Sequence, residues 1–190
     1  MGKYTVTNFA GSKPVFNLEN TKVSTGGFLA DKTNLLGVTT VYRGAPIEAN
    51  YATGIAKVLK TATVITGGTT SAPRIAKGHL FIAGEFLAKT VGAVSVTISS
   101  IDTSNTDYDV FTLSGAVTGL VADDTLFQAT NAGSNAVFYA TPNMFLYNDL
   151  VVESGDLTGV IFSLEIKESH LPYPINAEIK TSVGYLFTFI

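Results

Sequence analysis

The sequence predicts a mainly β chain: a small antiparallel β-barrel or sandwich, with an irregular N-terminal arm and one short helix near the C-terminus. Three observations carry this. Thr, Val, Phe and Tyr are abundant and Gly numbers 18, so strand formers alternate with turn formers. One segment, Val94–Ile101, alternates apolar and hydroxyl residues with the period of a half-buried strand. Turn signals recur at short intervals, and no stretch longer than two turns carries apolar residues at helical spacing.

The elements follow in order. Residues 1–40 form the predicted arm. Asn8–Pro14 and Ser24–Gly27 are turn clusters, with Phe9, Val15, Phe16, Phe28 and Leu29 in small apolar groups around them. Such isolated anchors suit an arm lying on another surface, and equally a long terminus covering its own domain. Residues 41–190 form the β-rich barrel-like domain, with Val38–Arg43 leading into it and Ile55–Ile65 read as one strand candidate. Gly67-Gly68-Thr69-Thr70-Ser71-Ala72-Pro73 breaks the chain. Two short apolar runs within Ile75–Leu87, separated by Gly, suit a tight barrel corner.

Val94, Val96 and Ile98 are expected on one face of their strand. Tyr108–Leu113 returns after the polar turn Asp102–Asp107, with Asp109, Phe111 and Leu113 on one face and Tyr108 and Val110 on the other. Later strand candidates are Leu126–Ala129, Val137–Ala140, Leu146–Val152, Val160–Lys167 and Tyr185–Ile190. A helix or 3₁₀ turn is expected at Ile175–Ser182, after Pro172 and Pro174, with Asn176 as its cap and Glu178 in its first turn. Ala76–Phe81 and Ala122–Phe127 share a polar turn before Leu-Phe, an echo that two related barrel corners would explain.

Charge and chemistry narrow the function. Net charge is −3, so no basic excess points to nucleic acid. The distribution is uneven: residues 1–60 carry seven Lys/Arg against three Asp/Glu, and residues 61–190 carry five against twelve. No apolar run has the roughly 18–20 residues of a membrane span, and the N-terminus lacks an apolar signal core. Cys is absent, which removes disulfides, a thiol nucleophile and thiolate metal sites.

His79 and His170 are the two histidines, and neither has metal-ligand spacing to the other. Asp102–Asp107 is rich in oxygen side chains but lacks the Gly and the Glu of an EF-hand loop. Asp123-Asp124 reads as a turn, and neither a phosphate-binding loop nor a nucleophile elbow occurs. The expectation is a protein without catalysis, metal or cofactor.

Four segments carry a family resemblance. Asn8-Phe9-Ala10-Gly11-Ser12-Lys13-Pro14-Val15-Phe16 resembles the opening of bacteriophage head fibre proteins. Ala76–Phe81 with Gly84–Leu87 resembles their central segment, and Ile101–Val110 the hairpin that follows it. Glu168-Ser169-His170-Leu171-Pro172-Tyr173-Pro174-Ile175 with Glu178-Ile179-Lys180 resembles their C-terminal segment. Order and spacing carry the likeness across nearly the whole chain.

The resemblance implies a structural virion protein on the outer capsid surface, made in the bacterial host cytoplasm from a phage or prophage genome. It would bind the major capsid protein as a homotrimer and cement capsomers. Neither a heptad repeat nor a Gly-X-Y tract is present, so a compact knob is expected rather than a fibre shaft. The residues offered for capsid or subunit contact are Phe9, Phe16, Phe28 and Leu29 near the start and Phe187, Phe189 and Ile190 at the apolar end. The alternative is a carbohydrate- or host-surface-binding β module without catalysis, built on the 12 Phe and 8 Tyr.

Overall fold

The computed structural model describes residues 13–190. The first strands are β1 (Thr21–Val23), β2 (Phe28–Ala30), β3 (Thr40–Val41), β4 (Pro46–Asn50) and β5 (Ile55–Val58). Next come β6 (Thr61–Ile65), β7 (Arg74–Ala76), β8 (Phe86–Ala88), β9 (Val96–Asp102), β10 (Tyr108–Leu113) and β11 (Thr125–Ala129). The last are β12 (Met144–Leu146), β13 (Leu150–Val151), β14 (Asp156–Leu157) and β15 (Gly159–Ile166), then helix α1 (Ala177–Val183) and β16 (Phe187–Phe189).

The fold is mainly β, as the composition predicts, and it has two parts. Strands β6–β11 close a barrel in the order β10-β7-β6-β11-β8-β9, every neighbouring pair antiparallel. The other part is an eight-stranded sheet ordered β1-β15-β12-β4-β5-β2-β14, with β16 on β15. Two of its pairs, β2–β5 and β15–β16, are parallel. A separate ribbon joins β3 to β13. The barrel is thus one continuous insertion between β5 and β12.

This arrangement alters two sequence expectations. Ile55–Ile65 is not one strand: β5 belongs to the sheet and β6 to the barrel, and the chain crosses over at Leu59 and Lys60. The described part of the arm, residues 13–40, is built into the sheet, because β1 pairs with β15 and β2 with both β5 and β14. Its apolar groups Val15, Phe16, Phe28 and Leu35 are buried.

Barrel strands show why the alternation matters. On β10, Asp109, Phe111 and Leu113 are buried, the face the sequence assigns together. On β9, Val96 and Ile98 are buried, whereas Val94 lies before the strand and is exposed. β11 is buried on both faces. Leu126 joins the barrel interior with Ile75, Leu87, Ile98 and Phe111, while Phe127 joins a second core with Phe145, Ile166 and Ile179. That second core holds the barrel against the sheet and α1.

Helix α1 starts two residues after the expected Ile175 and has the expected cap, Asn176. Asn176 Oδ1 accepts from the Ile179 amide at 2.9 Å, and Gly184 at φ 76° ends the helix. Two strand candidates differ. Val137–Ala140 forms no strand beyond a single bridge between Phe138 and Ala129. Leu146–Val152 divides into β12 and β13. The Ala76/Ala122 echo has no structural counterpart: Leu126 and Phe127 lie in β11, whereas Leu80 and Phe81 lie in a connection.

Candidate functional site

Period-2 alternation sets the outer face of the sheet. Along β2, Phe28 and Ala30 point to the core and Leu29 outward; along β5, Ala56 and Val58 are buried and Ile55 faces out. The parallel register puts Leu29 beside Ile55. Ile55 in turn pairs with Asn50 of β4, and Leu29 with Asp156 of β14. The outward row therefore reads Asn50, Ile55, Leu29, Asp156. Leu29 is 59% exposed and Ile55 42%.

Tyr51, in the β4–β5 turn, lies beside the inward-facing Phe28 and not in this row. Its ring meets Phe28 edge-on at 5.1 Å while the residue is 65% exposed. Farther along the outer face, the β11–β12 connection covers the sheet. Thr141 donates its amide to Glu48 Oε2 at 3.1 Å, and Lys57 Nζ sits 5.7 Å from the Tyr139 ring centre. The cover reaches Glu48 and Lys57 and leaves Ile55 and Leu29 open to solvent.

The chain end makes a second apolar edge. β16 pairs with β15 alone, and Phe187 packs on Phe145 at 5.2 Å. Tyr185 is 95% exposed and Ile190 62%. Of the contact residues expected from sequence, Leu29 and Ile190 are surface residues, and Phe189 is partly buried against Phe145. Phe16, Phe28 and Phe187 are buried in the cores of the chain and not on its surface. Phe9 lies outside the described residues. Ile55 was not singled out from sequence, because only the β2–β5 pairing brings it to Leu29.

The titratable residues gather elsewhere, at the mouth of the barrel. Lys60, fully buried, donates to Glu85 Oε1 at 2.5 Å. Glu85 also accepts from the Ile82 amide at 3.0 Å and from Gln128 Nε2 at 3.1 Å. Gln128 and Asn34 exchange hydrogen bonds at 2.7 and 3.0 Å, and Asn34 donates to the Val58 carbonyl at 2.9 Å. The network thus ties barrel to sheet. Burial pushes the Lys60 ammonium below its usual pKa, against the opposing pull of Glu85.

Next to it, Asp109 accepts from Lys77 Nζ at 2.5 Å and from His79 Nε2 at 3.0 Å. The Phe81 amide donates to His79 Nδ1 at 3.2 Å, which leaves the ring proton on Nε2. Phe111 meets the ring edge-on at 4.7 Å. Desolvation lowers the His79 pKa, reinforced by Lys77 and Lys60 and opposed by Asp109. The side chains of His79, Asp109 and Lys60 are all buried, the first two held to each other and the last to Glu85.

The acid groups of the Asp102–Asp107 and Asp123-Asp124 segments build turns. Asp102 Oδ1 accepts from the Ser104 amide and Asn105 Oδ1 from the Asp107 amide. Asp124 Oδ2 binds the Val121 amide at 2.7 Å and Lys89 at 2.8 Å, while Asp123 takes a positive φ of 69°. Among the described residues, no group of three or more His, Asp or Glu is placed to hold a metal ion. Also among them, no helix is long and apolar enough to cross a membrane.

No family model, no curated protein and no solved structure matches this chain.

Proposed function

We propose that the chain is a structural virion protein, a head fibre or decoration protein that binds the major capsid protein on the outer surface of a tailed-phage head. It acts as a homotrimer and cements capsomers without catalysis. The observation that carries the reading is the row of Ile55 and Leu29, side by side and open on the outer face of the sheet. Exposed apolar side chains side by side on rigid strands favour a protein partner. The head fibre resemblance of the sequence says which partner.

The second apolar edge, with Tyr185 and Ile190, supports contact between copies of the chain. Three copies held together present three strips at once. Multivalent attachment then makes release from the shell slow even where each contact is weak.

The test is mechanical. Heads from the phage or prophage that encodes this chain are prepared with and without it and heated while DNA release is followed. The reading predicts release at higher temperature when the protein is present. Identical release curves would overturn the cementing role.

The alternative, a carbohydrate- or host-surface-binding module, draws on the exposed rings of Tyr51 and Tyr185, which lie on separate turns before β5 and β16. Glycan binding that is lost in Tyr51→Ala and Tyr185→Ala would favour it.

A further inference from the structure

We propose that Lys60 and Gln128 join covalently inside the folded chain, through an isopeptide bond from Lys60 Nζ to Gln128 Cδ that releases ammonia, with Glu85 moving the protons. The fold brings the groups for this to one point. β11 runs between β6 and β8 in the barrel. Gln128 lies on β11, Lys60 immediately before β6 and Glu85 immediately before β8. The Gln128 amide donates to the Lys60 carbonyl at 2.9 Å, which extends by one residue the antiparallel register that sets Phe127 against Thr61. Lys60 and Gln128 are therefore directly opposite, and opposite residues of a strand pair send their side chains to the same side. Nothing in this depends on attachment to a capsid.

Each group makes the contact its role requires. Lys60 Nζ and Gln128 Nε2 both donate to one oxygen, Glu85 Oε1, at 2.5 and 3.1 Å. The nucleophile and the leaving nitrogen thus meet on the atom that carries protons between them. Asn34, in the 3₁₀ turn Lys32–Leu35, donates from Nδ2 to Gln128 Oε1 at 3.0 Å. That bond polarises the carbonyl and stabilises the oxyanion formed when Cδ is attacked. Asn34 is itself fixed, since Gln128 Nε2 donates back to its Oδ1 at 2.7 Å and its Nδ2 also donates to the Val58 carbonyl at 2.9 Å. Lys60, Gln128 and Asn34 are all buried. Burial favours the neutral amine, the form that attacks, over the ammonium. It also keeps out the water that would otherwise hydrolyse an activated carbonyl.

Atoms and electrons balance. The Lys60 ammonium passes one proton to Glu85, and the electron pair freed on Nζ attacks Gln128 Cδ. The carbonyl π pair moves onto Oε1, where Asn34 holds it. A second proton leaves Nζ and reaches Nε2 by way of the Glu85 carboxyl. As the carbonyl re-forms, the Cδ–Nε2 bond breaks and ammonia departs. It takes the remaining proton from Glu85 and leaves as ammonium, which restores the carboxylate. No oxidant or co-reactant enters, and each chain reacts once, a self-modification rather than turnover. The product ties the crossover into the barrel to β11. It closes a covalent loop that restricts the unfolded chain as a disulfide would, in a sequence without Cys.

The experiment is the mass of the purified full chain, kept folded and then denatured for mass spectrometry, followed by a tryptic map. The proposal predicts a mass lower than that of the sequence by one ammonia. It predicts no tryptic cut after Lys60 and a linked fragment that contains both Lys60 and Gln128. Lys60→Met removes the nucleophile and should keep its full mass. Glu85→Gln keeps the shape but cannot take up the Lys60 proton, and should link about tenfold more slowly or less. If Glu85→Gln fails to fold, the wild-type mass and map still decide the matter. Three results would overturn the proposal: wild-type chain that retains its full mass after days in the folded state, a deficit that persists in Lys60→Met or maps to other residues, or a folded Glu85→Gln that links as fast as the wild type.

Discussion

Lys60 and Glu85 form an ion pair 2.5 Å long at the point where the chain leaves the sheet and enters the barrel. The lysine side chain is fully buried, and its partner nearly so. Removing one partner strands the other charge away from water. Glu85→Leu is expected to cost about 3–5 kcal/mol of stability. The double variant Lys60→Met with Glu85→Leu should cost much less, since no charge is then left unpaired. Urea denaturation of the three proteins checks this; equal losses in the single and double variants would contradict it.

His79 gives the fold a pH dependence. Burial lowers its pKa below the ordinary 6.5, so the folded chain holds the ring neutral where the unfolded chain binds a proton. The contribution is present above pH 6.5 and is lost as pH falls through that value. Each pH unit below it removes up to about 1.4 kcal/mol until the folded ring also protonates. Denaturation midpoints between pH 8 and pH 5 measure the slope, and His79→Gln should flatten it.

Thr61 follows Lys60 and is also buried, and its Oγ1 has no hydrogen-bond partner. A buried hydroxyl without a partner costs on the order of 1–3 kcal/mol. Thr61→Val keeps the shape and the strand preference of β6. It is expected to raise stability by about 1 kcal/mol, seen as a higher thermal midpoint.

Gly68 sits in the glycine-rich break between β6 and β7. A Cβ there would lie 2.4 Å from the Arg74 amide nitrogen and 2.8 Å from the Ala72 carbonyl oxygen. Both are backbone atoms, so the turn must shift. Gly68→Ala should lose about 1–3 kcal/mol. Gly119→Ala meets no atom within 4 Å, and its φ of +67° alone sets the smaller cost against which to compare.

The parts legible in the sequence are those fixed by near neighbours. Period 2 gives the inward face of Asp109, Phe111 and Leu113, and a capping Asn after two prolines gives α1. The Gly67-Gly68 break was legible for the same reason. The barrel insertion was not, because Val58, Leu59 and Ala62 are buried on both sides of the crossover and read as one apolar run. The surface was the hardest to read. Phe16, Phe28 and Leu29 look alike as isolated apolar anchors, yet two fill cores and only Leu29 faces out. Its neighbour Ile55 joins it through a parallel pairing that no local pattern encodes.

Capsid attachment through the Leu29–Ile55 row is tested most directly by co-sedimentation. Purified heads that lack this protein are mixed with the wild-type chain or with Leu29→Asp/Ile55→Asp, and the bound fraction is measured after centrifugation. Both substitutions lie on exposed positions, so the fold should persist by circular dichroism. The account predicts saturable binding of the wild type and a loss of about tenfold or more in affinity for the variant. Wild-type protein that stays in the supernatant at every concentration, or a folded variant that binds as tightly, would contradict it.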